Sequence, residues 1–200
     1  MTKTNTREDI IRKGAELIHA QGFNATGLQQ ILQAVGIPKG SFYFYFKSKE
    51  DFGLEIIDYF SAMISGIIKY YLSDKKIPPI KRLEKLFEFF ENIFQKNGHT
   101  LGCPIGNLSL ELAGTNERLR VHLKDVIESL IAQIKLCLDE AKHDKSIPAN
   151  LNTSDTARLI FYGFEGAILH MKVVKNIEPF RAFRSYLTGY FKNIKALRKK

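Results

Sequence analysis

Two hundred residues, 44% of them apolar and 26% charged, with only 14 glycines and 6 prolines, make a folded globular chain rather than a disordered or fibrous one. A chain of this length buries roughly 70% of its unfolded surface, so its core needs no metal or disulfide staple, and two cysteines, Cys103 and Cys137, leave little to staple with. Thirty Lys and Arg against 21 Asp and Glu give a formal net charge of +9, which favours polyanions such as nucleic acid or an anionic membrane surface without speaking to the fold.

No basic-then-apolar leader opens the sequence, and the longest apolar span, Leu54 to Leu72, is interrupted by Glu55, Asp58 and Lys69. The expectation is a reduced, cytoplasmic protein with no membrane partner.

Apolar spacing is helical nearly everywhere, so the chain reads as all-α, with about nine helices. Thr6 followed by Asp9 suggests a capping box, and Ile10, Gly14, Leu17, Ile18 and Gln21 share one face until Gly22 stops the helix. Leu28, Ile31, Leu32 and Val35 repeat at i, i+3, i+4 and i+7 and end at Gly36. A very short segment, Gly40 to Tyr45, comes next. Ser48, followed by Glu50 and Asp51, then starts a long helix to about Leu72. Pro79 suits a first helical turn, and that helix runs to about Lys96. Gly98 to Pro104 breaks the chain, a short helix covers about Ile105 to Ala113, and Thr115 is positioned to cap a long one carrying Leu119, Leu123, Val126, Leu130, Ile134 and Leu138. After a loop from Pro148 to Asn152, Thr153 or Ser154 caps a helix to about Val174. Pro179 opens the last, which ends in the basic tail Lys195, Arg198, Lys199 and Lys200.

Leu28 to Phe46 carries the most information. Two amphipathic pieces flank a short turn headed by Gly36, the arrangement of a helix-turn-helix, whose second piece lies in the DNA major groove. Between Glu16 and Glu50 there is no Asp or Glu, while Lys39, Lys47 and Lys49 are interleaved with Ser41, Tyr43 and Tyr45. Phosphates repel carboxylates and accept hydrogen bonds from Lys, Ser, Thr, Tyr and backbone amides, so such a stretch suits a DNA face. Phe42 and Phe46 are expected in the core, with Tyr43 and Tyr45 on other faces.

The run GIPKGSFYFYFKSKEDF from Gly36 to Phe52, preceded by GFNATGLQQIL from Gly22 to Leu32, closely resembles the DNA-binding signature of TetR-type transcriptional repressors. The resemblance implies a helix-turn-helix DNA-binding domain over residues 1–50 and a ligand-binding and dimerisation domain over 51–200. It implies that Lys39, Gly40 and Ser41 start the recognition helix, with Lys39 reading guanine and Gly40 allowing close backbone approach. Tyr43, Tyr45 and Lys49 would bind phosphate, Phe44 would lie against sugar or methyl groups, Thr26 would donate from the start of the second helix, and Gln29 would reach a base edge. Two departures stand out: Gly27 replaces a common Ser or Thr, and Tyr45 a common histidine.

In that family the last two helices pair with their copies, which implies a homodimer on a near-palindromic double-stranded operator. The implied dimer face is Phe161, Gly163, Phe164, Gly166, Ala167, Phe183 and Leu187, with further apolar area from Ile168, Phe180, Tyr186 and Phe191; an ordinary intramolecular core is the alternative. Tyr59, Phe60, Met63, Phe87, Phe90 and Phe94 are candidates for an effector pocket or for core. Cys103 precedes a helix N-terminus, whose dipole can lower a thiol pKa. The segment around it, with Asn107, Leu108, Ser109 and Glu111, is similar to that of family members that sense electrophiles and repress N-ethylmaleimide reductase. The implied effector is therefore a small molecule or a cysteine-modifying electrophile or oxidant, and Cys103 is its candidate sensor, with a small buried core thiol as the alternative reading. Cys137, in an apolar stripe, reads as core.

An enzyme needs a convergent set of catalytic groups. His19, His99, His122, His143 and His170 are scattered, Glu16 and His19 form a single Glu-x-x-His, and no glycine-rich phosphate loop follows a strand. No catalytic residue, metal ligand or cofactor is expected. A helical scaffold that uses a helix-turn-helix core without operator recognition is the rival reading.

Overall fold

A computed structural model describes residues 6–197, apart from the side chains of Lys39, Lys195, Ala196 and Leu197. The basic tail residues Arg198, Lys199 and Lys200, and the side chain of Lys195, therefore lie outside the described residues.

Nine α-helices and no strand occur among the described residues: α1 Thr6–Gln21, α2 Leu28–Val35, α3 Phe42–Tyr45, α4 Lys49–Leu72, α5 Pro79–Lys96, α6 Pro104–Leu112, α7 Glu117–His143, α8 Thr153–Val174 and α9 Glu178–Leu197. A 3-10 turn, Lys39–Ser41, leads into α3. No described helix is long and apolar enough to cross a membrane.

Local chemistry explains several helix ends. Gly36 adopts φ 78° and closes α2 with two backbone bonds, Gly36 N–H to Gln33 O and Ile37 N–H to Leu32 O, a left-handed stop that glycine makes without strain. Ser48 caps α4 by accepting from the Asp51 N–H at 3.0 Å. The caps of α7 and α8 differ from expectation. Asn116, not Thr115, caps α7, accepting from Leu119 N–H at 2.9 Å, while the Thr115 hydroxyl turns back to the end of α6. Asn152, not Thr153 or Ser154, caps α8 through the N–H groups of Ser154 and Asp155, and Thr153 donates instead to Asp139 at 2.6 Å. Lys145 and Lys175 follow α7 and α8 with φ 61° and 52°, left-handed positions where glycine is usual.

The described chain divides into two compact units, residues 1–64 with 104–126 and residues 65–103 with 127–200. In the first, Ile10, Ile18, Ile31, Leu32, Phe42, Phe46, Phe52, Ile56 and Ile57 are buried, together with Ile105, Leu108, Leu119 and Leu123. Gly14 lets α1 approach Phe52 closely, since a Cβ there would lie 2.4 Å from the Phe52 ring. In the second unit Leu83, Leu86, Leu130, Ile134, Leu138, Ile168 and Met171 are buried around a ring cluster of Phe87, Phe94, Phe164, Phe180 and Phe183.

Candidate nucleic-acid interface

The recognition segment is short, so its geometry depends on anchors. Phe42 and Phe46, one helical turn apart, are 1% and 4% exposed, and their rings pack against Phe52 of α4 at centroid distances of 5.6 and 5.0 Å. With those two faces turned inward, the residues between them are presented outward. Tyr43 is 66% exposed and Phe44 84% exposed, while Tyr45 is half-buried with its ring 5.1 Å from that of Phe44. Tyr43 and Phe44 thus stand side by side as open aromatic surface on a four-residue helix.

Gly40 is exposed, and a Cβ built there meets nothing within 4 Å. No contact within the chain demands a glycine at that position. Ser41 is half-buried at the start of α3, Gln29 is exposed on the first turn of α2, and the Lys39 side chain lies outside the described residues.

Two expected phosphate donors are turned inward. Thr26 has no exposed surface: its hydroxyl donates to Gly22 O at 2.6 Å and accepts from the Gln21 amide at 3.2 Å. It serves as a strut of the α1–α2 turn, which corrects the reading of a surface donor. The Lys49 ammonium donates to Thr26 O at 2.9 Å and sits 4.9 Å over the Phe23 ring. Burial lowers its pKa, and the charge of Glu111 acts in the opposite sense. One of its three donors is thus committed to the turn, and the others remain for a phosphate.

The α2 N-terminus lacks a side-chain cap because Gly27 occupies it, with extended φ −78° and ψ 142° and nothing within 4 Å of an added Cβ. Gly27→Ser is expected to stabilise the protein by about 0.5 kcal/mol, through a cap bond and a stiffer unfolded chain. A rise in the urea midpoint at unchanged m-value checks this.

The dimer-face residues separate into two groups. Phe164 and Phe183 belong to the ring cluster of their own chain, and Ala167 and Leu187 are buried at 8% and 7% exposure. A Cβ on Gly163 would meet the Phe183 ring at 3.0 Å, so this glycine serves the approach of α9 to α8. Of the expected dimer face only Ala167 and Leu187 are fully buried within this chain; Phe161, Phe164 and Phe183 are half-buried, and Gly163 and Gly166 are exposed. Of an exposed set on α8, sequence reasoning picked out only Gly166. Leu159, Tyr162, Gly166, Leu169 and Val173 recur at three and four along α8, and their four large side chains are all more than half exposed. That is the spacing of a helix-packing seam.

Cys103, 8% exposed, immediately precedes α6. Glu165 lies beside it: burial raises the Glu165 carboxyl, a hydrogen bond with Cys103 partly offsets this, and its Oε1 is buried without a partner. A carboxyl raised in the folded state stabilises fully below its unfolded pKa and loses that contribution as pH rises through the folded value. Glu165→Gln is therefore expected to flatten the fall in stability as pH rises above the ordinary glutamate value and to gain about 1 kcal/mol at pH 8, read from urea midpoints at pH 5 and pH 8. Cys137 differs: burial pushes its thiol up to about 12, and its Sγ donates to Pro79 O at 3.3 Å.

Residues 10–56 match the family described as bacterial regulatory proteins, tetR family, and residues 79–187 match the tetracyclin repressor-like C-terminal domain. The HTH-type transcriptional repressor DhaR of Mycobacterium sp. (strain GP1) is 31% identical over 183 residues, 92% of this chain and 90% of DhaR. The repressor NemR of Escherichia coli (strain K12) is 26% identical over 178 residues, 89% of each chain. The crystal structure of a TetR regulatory protein from Rhodobacter sphaeroides superposes with a TM-score of 0.85 at 28% identity, covering 92% of this chain and 97% of that one. Reduced E. coli NemR gives 0.85 at 25% identity, covering 93% and 96%. With the DNA-reading segment and the C-terminal helices both matched, and the likeness to DhaR running along nearly the whole of each protein, the chain belongs to the TetR family of DNA-binding transcriptional regulators.

Proposed function

We propose that this protein is a cytoplasmic, homodimeric, one-component repressor that binds a near-palindromic operator and is released by a small-molecule effector or by modification of Cys103. Residues 1–50 act as the reading head and 51–200 as the effector and dimerisation part. The observation that carries the reading is the outward display of Tyr43 and Phe44, at 66% and 84% exposure, from a stretch free of carboxylates. In the complex, Lys39, Gly40 and Ser41 meet base edges, Phe44 packs on sugar or thymine methyl groups, Tyr43, Tyr45 and Lys49 hold phosphates, and Gln29 reaches in from α2.

Two copies meet along the α8 stripe of Leu159, Tyr162, Gly166, Leu169 and Val173, with the exposed Tyr186 of α9 adding area. Leu169→Glu is expected to give monomers in sedimentation and to weaken operator binding; a stable dimer with this change places the interface elsewhere.

Release by an electrophile would proceed by addition of the Cys103 sulfur across an activated double bond, the thiol proton passing to the neighbouring carbon. Sequencing duplexes selected from a random pool by the purified protein, with and without N-ethylmaleimide, tests the whole reading. Expected are half-sites one helical turn, or a multiple of it, apart and loss of capture after alkylation. Capture of unrelated duplexes would indicate a scaffold without operator recognition, and release that persists in Cys103→Ser removes the sensor role from that thiol.

A further inference from the structure

The acid-free stretch meets a carboxylate from far along the chain. Glu111, in the last turn of α6, accepts from the backbone N–H of Phe23 through Oε1 at 3.2 Å and from that of Asn24 through Oε2 at 3.0 Å. Gly22 makes room for it: at φ 93° it occupies backbone space that other residues rarely use, and a Cβ there would lie 2.7 Å from Oε1. The Lys49 ammonium, which feels the charge of Glu111, holds Thr26 O of the same turn and covers the Phe23 ring. The Thr26 hydroxyl ties back to Gly22 O, and the Gln21 amide pairs with Gln30 of α2 at 2.8 Å. Residues 22–26 are thus held by both a carboxylate and an ammonium, and Gly27, the uncapped start of α2, follows directly.

We propose that Glu111 is a positioning residue for operator recognition, its two-oxygen grip on the α1–α2 turn fixing the angle at which α2 and Gln29 meet DNA. Charge-assisted bonds to backbone amides are the strong kind and set direction as well as distance. Glu111 touches no base or phosphate in this role. Because it stands on α6, which begins at the residue after Cys103, the grip also joins the reading head to a helix outside the DNA-binding segment.

The test uses the full-length protein, the tightest duplex from the selection above and a scrambled duplex of equal length, at a temperature where circular dichroism shows each variant folded. Glu111→Ala is expected to weaken binding to the selected duplex about tenfold or more, with the scrambled duplex changed less than about twofold, because phosphate contacts survive while register is lost. Amide exchange at Phe23 and Asn24 should accelerate about tenfold in the same variant. Glu111→Gln, which keeps one carbonyl acceptor, should fall between the wild type and Glu111→Ala. Glu111→Asp, one methylene short, keeps the charge and the fold but should behave like Glu111→Ala. The proposal is overturned if Glu111→Ala or Glu111→Asp lowers the melting temperature while selected-duplex affinity stays at the wild-type value. It is overturned equally if both duplexes weaken in parallel, or if exchange at Phe23 and Asn24 is unchanged.

Discussion

Phe52→Ala is expected to cost about 4 kcal/mol and to abolish operator binding with it. Phe52 has no exposed surface, packs its ring against both Phe42 and Phe46, and lies within a carbon–carbon contact of Gly14 on α1. Removing it opens a cavity under a recognition helix of four residues, too short to hold itself together. Urea unfolding gives the stability change, and DNA binding at low temperature gives the functional one. Phe44→Ala is the matching control: that ring is 84% exposed, so its loss should shift stability by less than about 0.5 kcal/mol while still weakening DNA binding. Gly14→Ala tests the contact from the other side, with about 1–3 kcal/mol expected from overpacking. Paired with Phe52→Leu, it should cost less than the sum of the two single changes.

Arg82→Ala should destabilise by about 3 kcal/mol. Its side chain is 2% exposed, with one guanidinium nitrogen donating to Leu72 O at the end of α4 and another to the carboxylate of Glu140, which Lys75 also meets. Arg82→Lys is not expected to recover the loss, because a single ammonium cannot serve two acceptors in the fixed directions of the fork. There is also a pH signature. Burial by itself would raise the Glu140 carboxyl, but hydrogen bonds from Lys75 and Arg82 hold it below the ordinary glutamate value. That stabilisation is present above the unfolded pKa and is lost as pH falls through the depressed one. In Arg82→Ala the acid-side decline in stability should therefore become shallower, which urea midpoints between pH 3 and pH 6 would report.

Features set by neighbouring residues were legible in the sequence. The apolar period of α2, the left-handed stop at Gly36, the Ser48 cap and the Pro79 start each need only a few adjacent positions, and each stands where expected. Caps went astray where several competent side chains lie in a row. Thr115 and Asn116, or Asn152, Thr153 and Ser154, all carry suitable oxygens, and the first helical residue is decided by packing that the local string does not contain. Thr26 illustrates a similar limit: a hydroxyl suits a phosphate or a buried carbonyl equally, and only burial distinguishes them. On α8 and α9 the richness in Phe left a shared face and an intramolecular core both open; Phe164, Phe180 and Phe183 meet one another within the chain, while Leu159, Tyr162, Leu169 and Val173 stay exposed. The grip of Glu111 on Phe23 spans 88 residues and leaves no periodic trace at all.

Residues 1–50 hold seven basic and four acidic groups, so most of the formal +9 lies elsewhere in the chain. Part of that excess sits at two helix ends. Lys145 and Lys175 occupy left-handed backbone positions after α7 and α8, at roughly 1 kcal/mol each relative to glycine. Each also brings a cation to the negative end of a helix, worth about 0.3–1 kcal/mol. At Lys175 the two contributions nearly cancel, so glycine there would leave stability almost unchanged while removing a charge. Together the two positions form a dial on long-range attraction: exchanging both should slow the diffusional encounter with DNA at low salt and leave the lifetime of the bound complex as it was.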